Sequence, residues 1–249
     1  MRIIISPAKK MNTDTDSLKW QTQPQFLTET ECLLAHLRQM TPDALKLLWK
    51  CNDKLVALNR NRLETMDLQR NLTPAILAYE GIQYQYMAPA VFTESEFAYI
   101  QDHLRILSGF YGVLRPFDGV TPYRLEMQAK ASVSGFKDLY DYWGSSLYDA
   151  LTSDGDSVIL NLASKEYSKC IEKYLKPTDT YITCVFGEEK NGKVVQKGTF
   201  AKMARGEMVR YLAENEITAL EDVKNFSGLD HHYSEKYSTE NEYVFLKNS

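Results

Sequence analysis

Five stretches of this 249-residue chain combine residue types that can bind a ligand or move protons. The first is Ser6-Pro7-Ala8-Lys9, directly after the β-branched run Arg2-Ile3-Ile4-Ile5. A hydroxyl near a lysine suits a phosphate or carboxylate, and ligands of α/β sheets usually sit at the carboxyl ends of strands. The same residues also read as a turn carrying a surface lysine. The glycine-rich P-loop pattern is absent.

The second stretch runs from Leu107 to Asp118 and on through Pro122-Tyr123-Arg124-Leu125-Glu126-Met127. It sets Arg115, Asp118, Tyr123, Arg124 and Glu126 into a punctuated segment that reads as a long functional loop. Gly109 and Gly112 would allow close backbone approach to a ligand or to a neighbouring element. The competing reading is a salt-bridged connection in which Arg124 pairs with Glu126 or Asp118. In the third stretch, Asn161 to Tyr167, Ser164 stands at a helix N-cap, where it either caps the helix or leaves amides free to hold an anion. In the fourth, Lys202, Arg205 and, less closely, Arg210 share a helical side that could track phosphates. Gly206 within that helix costs about 1 kcal/mol relative to alanine, which points to a close neighbour. The fifth carries Lys54, Arg60 and Arg62 around Ala57 and Asn59. Those two residues stand where a helix-hairpin-helix turn would have glycines, and an ordinary continuous helix is the alternative.

Two uses of these groups compete. If Lys9, Lys54, Arg60, Arg62, Arg115, Arg124, Lys202 and Arg205 face one groove, the protein holds double-stranded DNA nonspecifically and in a salt-sensitive way. If instead Lys9, Arg124 and Arg205 bind a small phosphorylated or nucleotide-like ligand, then Glu126, Tyr123 and Ser6 are candidate proton-transfer groups, beside Asn161 and Ser164. Direct iron chelation is disfavoured, because His231-His232 and the scattered acids lack the Glu-x-x-His pattern of di-iron bundles. No metal and no cofactor is expected.

The elements that must position these groups follow from pattern. Arg2 to Ser6 reads as a buried strand, and residues 24–65 as a helical layer in which Thr41 caps a helix and Pro42 begins it. Helices are expected near 94–104, 136–152, 165–175 and 201–214. Strands are expected at 157–162, at 180–186 with 194–197, and at 244–246. Asn191-Gly192 supplies the positive φ angles of a type I′ hairpin. Together these predict one mixed α/β domain over 1–249, a central sheet flanked by helical layers.

Composition agrees: 44% hydrophobic and 25% charged residues make an ordinary globular chain. No apolar run approaches the roughly 18 residues of a membrane span, and the N-terminus lacks a secretory signal, so a cytoplasmic location is expected. Four scattered cysteines without C-x-x-C argue against a zinc site or a disulfide framework. The net charge of -4 is uneven, since residues 211–249 hold eight acids against three lysines and leave the body of the chain close to neutral. A basic face is therefore compatible with the acidic total.

In these words and their order the chain resembles the YaaA peroxide-stress protein family. The resemblance rests on Ile4 to Lys9, Leu107-Ser108-Gly109 with Tyr111-Gly112, Leu114-Arg115-Pro116 with Asp118, Pro122 to Met127, Leu139-Tyr140 with Trp143-Gly144, Asn161 to Ser164 with Glu166-Tyr167, and Ala201-Lys202 with Ala204-Arg205-Gly206. It implies a cytoplasmic bacterial protein of the response to hydrogen peroxide that limits free intracellular iron. It also implies an unusual α/β fold with a basic cleft, and duplex-DNA binding through a helix-hairpin-helix element. Gln128 stands where the family usually has glycine, and Ala57 lacks the glycine of the hairpin.

Overall fold

A computed structural model describes residues 1–247. Its centre is a sheet in the order His231–Tyr233, Glu242–Lys247, Thr180–Lys190, Val158–Leu162, Arg2–Ile5, Leu104–Ser108, Gly112–Leu114, with Lys193–Val195 paired to Thr180–Lys190. The five inner strands run parallel, and both outermost strands are antiparallel to their neighbours. Ile3, Ile4 and Ile5 are all fully buried. Successive side chains of a strand point to opposite faces, so both faces of the sheet are covered, as a parallel sheet requires.

One group of helices, Ile82–Met87, Glu94–His103 and Gly198–Glu214, packs together, the last two also lying on the sheet. A second, Ser146–Thr152 with Lys165–Glu172, packs beside Gly112–Leu114. The expected layer over 24–65 is three helices, Leu27–Gln39, Pro42–Trp49 and Asp53–Thr65. Thr41 caps the second as its sequence predicts, its side chain accepting from Ala44 N with Pro42 at the first position. Asn191 and Gly192, at φ 52° and 74°, turn the expected hairpin.

Three expectations need correction. The long loop expected after residue 104 begins as sheet, since Leu104–Ser108 and Gly112–Leu114 are buried strands, and is irregular from 115 onward except at Gly119–Val120. The helix expected over 136–152 is broken at Gly144, which takes φ +49° between Leu139–Trp143 and Ser146–Thr152. No hairpin forms at Ala57–Asn59, because Asp53–Thr65 is one helix and the Asn59 side chain donates to Leu55 O within it at 2.8 Å. The tight turn lies earlier, at Lys50-Cys51-Asn52, where Lys50 adopts φ 46° and Asn52 caps the next helix through Leu55 N.

Candidate functional site

The strands Arg2–Ile5 and Val158–Leu162 are paired neighbours, so Ser6 and Ser164 emerge side by side at their carboxyl ends. Ser6 Oγ accepts from Ser164 N at 2.8 Å and donates to Ser164 Oγ at 3.2 Å. Ser164 occupies the cap position of Lys165–Glu172, yet its side chain makes no capping hydrogen bond, so the hydroxyl does not serve that terminus. These two serines belong to a cleft of about 400 Å³.

The cleft walls come from three further places. Lys9 follows the first strand, and Arg124 and Glu126 lie on the extended segment after Val120. That segment is pressed against Gly109: a methyl group there would sit 2.6 Å from Leu125 O. The close approach that the glycines predict is thus made by a neighbouring segment, which Gly109 admits and so places Arg124 and Glu126. Glu126 Oε1 stands 3.1 Å from Lys9 Nζ and 3.3 Å from Arg124 Nη2. The pairing of Arg124 with Glu126 foreseen from the sequence is present, inside the cleft rather than instead of it. Arg124 also donates to Trp49 O at 3.3 Å, tying the cleft to the last residue of the helix before the Lys50 turn.

Lys202 and Arg205 come from Gly198–Glu214, and Gly206 explains their position. A methyl group at 206 would overlap the Gln83 carbonyl and lie 2.9 Å from Met87 N, so only glycine lets the helix lie this close to Ile82–Met87. Arg205 Nε is buried without a hydrogen-bond partner. Burial pulls its guanidinium below the ordinary value, and among the described residues Cys184 alone works against that. Arginine nevertheless stays protonated at neutral pH, so this is a half-buried cation in the cleft wall with no carboxylate paired to it among the described residues.

Tyr123 lines the cleft with its ring, but its hydroxyl is engaged inside. Ser108 Oγ accepts from Phe110 N and Tyr111 N, which leaves its proton for Tyr123 Oη at 2.6 Å, and Tyr123 passes the chain to Tyr79 Oη at 2.8 Å. Burial pushes the Tyr123 phenol well up. Glu166, also lining the cleft, is pushed up chiefly by burial and further by Glu126, against a hydrogen bond from Gln128 N.

Of the residues singled out by sequence, the structure gathers Ser6, Lys9, Tyr123, Arg124, Glu126, Ser164, Lys202 and Arg205 around this cleft. The others lie elsewhere. Arg115 borders a separate hollow with Arg105 and Asp118 at the other end of the strands, and its N–H donates to the Asp118 carboxylate. Lys54 is exposed on Asp53–Thr65, where Arg60 pairs with Glu64 and Arg62 reaches Met11 O. Asn161 is buried, fastening strand to strand through Thr183 Oγ1 and accepting from Ala163 N. Sequence reasoning missed Gln83 and Tyr84, whose only local marker is the preceding Gly81.

The family model described as "Peroxide stress protein YaaA" matches residues 1–237. The chain belongs to this family. It is 56% identical over 247 residues to a UPF0246 protein of Lachnoclostridium phytofermentans, covering 99% of this chain and 96% of that one. A UPF0246 protein of Pediococcus pentosaceus is 53% identical over 248 residues, covering 100% and 98%. One of Lactiplantibacillus plantarum is 52% identical over 246 residues, covering 99% of each. Membership of a peroxide-stress family gives the chain a general place in the oxidative-stress response. No helix among the described residues is long and apolar enough to cross a membrane.

Proposed function

We propose that this peroxide-stress protein acts in the cytoplasm by holding a phosphorylated ligand in the cleft at the strand ends. Arg205 carries the reading. A half-buried guanidinium whose Nε is buried and unpaired, with no counter-ion among the described residues, is relieved by an anion placed beside it. Lys202 and the Ser164 hydroxyl, whose own proton is not used by Ser6, add donors of the kind phosphate oxygens accept. A volume of about 400 Å³ falls in the usual small-molecule range of about 300–1,000 Å³ and is far too small for a duplex segment. Calorimetric titration with inorganic phosphate and ribose 5-phosphate tests it. Saturable binding that Arg205→Met weakens is expected, and no binding by the wild type at low salt would refute it.

A second reading, duplex DNA, is favoured by the helix pair Pro42–Trp49 and Asp53–Thr65. Its three-residue turn carries exposed Lys50 and precedes exposed Lys54, and Trp49 at its edge is bonded to Arg124 of the cleft. DNA phosphates would then lie across the turn and the cleft mouth, nonspecifically, and any limitation of free iron would follow indirectly. Fluorescence anisotropy with a labelled duplex should show affinity falling steeply with salt and after Lys50→Glu with Lys54→Glu. Arg115→Glu, at the other end of the sheet, should change nothing. Salt-independent binding, or equal loss from Arg115→Glu, would count against this surface.

A further inference from the structure

Charge is only half of what the cleft presents. Four of its lining side chains bury a polar atom that has no hydrogen-bond partner: Gln83 Nε2, Arg124 Nε, Glu126 Oε1 and Arg205 Nε. Glu126 Oε1 lies at ion-pair distance from Lys9 and Arg124 but outside hydrogen-bond geometry. Gln83 is 6% exposed, so its amide is lodged in the wall with no water-facing alternative. Buried polar atoms are normally paired, and a cluster of unpaired ones around a single cavity marks what a ligand must supply.

The four atoms make two different demands. Arg205 and Gln83, on the two helices joined at Gly206, are donors and call for oxygen acceptors. Glu126, on the facing segment, is an acceptor and calls for a donor, with the Arg124 donor directly beside it. A bare phosphate meets the first demand and leaves the second unmet. A ligand that meets both carries an anion at one end and, at the other, an N–H group next to an acceptor. The same cleft is lined by three aromatic side chains, Tyr84, Tyr123 and Tyr167. A nucleobase has this combination: a π-face, and an edge on which N–H donors alternate with oxygen or ring-nitrogen acceptors.

We infer that the cleft recognises one nucleotide unit, its phosphate toward Arg205, Lys202 and Ser164 and its base edge toward Glu126 and Arg124. This rests on the phosphorylated-ligand reading and adds the base to it. The unit reaches the cleft either as a free nucleotide or presented by a nucleic-acid strand, and the two sources share the same contacts.

Calorimetric titration of the full chain with ribose 5-phosphate, the nucleoside monophosphates and a short single-stranded oligonucleotide separates the possibilities. At least one monophosphate should bind about tenfold or more tightly than ribose 5-phosphate, since a site that hydrogen-bonds a ligand group discriminates strongly against its absence. Glu126→Gln, which replaces the acceptor by a mixed group of the same shape, should erase most of that preference. Competition between the oligonucleotide and the monophosphate supports delivery by a strand, and binding of the monophosphate without such competition supports the free nucleotide. Equal affinity for ribose 5-phosphate and every monophosphate in the wild type overturns the inference while the phosphate reading stands. Failure of all these compounds to bind removes both. The wild-type comparison decides the matter even if Glu126→Gln does not fold.

Discussion

Gly206→Ala isolates the packing that places Arg205. In an unconstrained helix interior the substitution would add about 1 kcal/mol of stability. Here the new methyl group meets the Gln83 carbonyl and the Met87 amide, at 2.9 Å, and both belong to backbone that cannot rotate away. Overpacking of this kind costs about 1–3 kcal/mol, and a backbone obstruction belongs at the upper end. The net effect is a loss of about 1–2 kcal/mol, or a fall of about 2–8 °C in Tm for a chain of this size. Gly198→Ala is the control, since nothing lies within 4 Å of its added methyl, and its Tm should hold or rise. Thermal unfolding followed by circular dichroism measures both. The helices must part to admit the methyl group, so Gly206→Ala should also weaken ribose 5-phosphate binding at temperatures where it remains folded. A Gly206→Ala protein as stable as the wild type, with unchanged binding, would refute the argument that this contact sets the cleft wall.

Ser108→Ala should cost about 1–3 kcal/mol in urea denaturation, because it leaves the Phe110 and Tyr111 amides without their acceptor; a change under about 0.5 kcal/mol would contradict the hydroxyl chain. Asn52→Ala should cost about 1 kcal/mol with an unchanged urea m-value, through loss of the cap on Leu55 N. Burial opposes ionisation of Glu172, yet the hydrogen bonds from Lys165 and Ser168 outweigh it and hold the carboxyl below its ordinary value. A depressed carboxylate contributes fully above the unfolded value of about 4.3 and loses that contribution as pH falls through the folded one. Glu172→Gln should therefore cost at most about 1 kcal/mol at pH 7, given the exposed Lys165, and progressively less as pH falls below about 4.3; a cost that does not change with pH would contradict the pairing.

Local chemistry announced many elements. Thr41-Pro42 marks a helix start, Asn191-Gly192 a hairpin, and Ile3-Ile4-Ile5 a strand buried on both faces, because each is decided by residues next to one another. Leu104–Ser108 and Gly112–Leu114 were hidden by their own glycines, which read as loop punctuation while Gly109 in fact accommodates Leu125 from another segment. The turn at Lys50 has neither glycine nor proline to signal it, its left-handed residue being a lysine. In the site, Ser6, Lys9, Ser164 and Arg205 were legible from strand ends and a helix face. Which bases would meet was not, because Arg115 and Arg124 are nine positions apart yet fall at opposite ends of the sheet. Gln83 was invisible, since its importance comes from a helix more than a hundred residues later.

The order of the strands has a further consequence for how copies of this protein meet. Each outermost strand, Gly112–Leu114 on one side and His231–Tyr233 on the other, is three residues long. Short, reversed edges offer little unpaired backbone for a second chain to extend, which is one way natural sheets resist edge-to-edge aggregation. The buried parallel strands between them are thereby kept out of reach at both ends of the row.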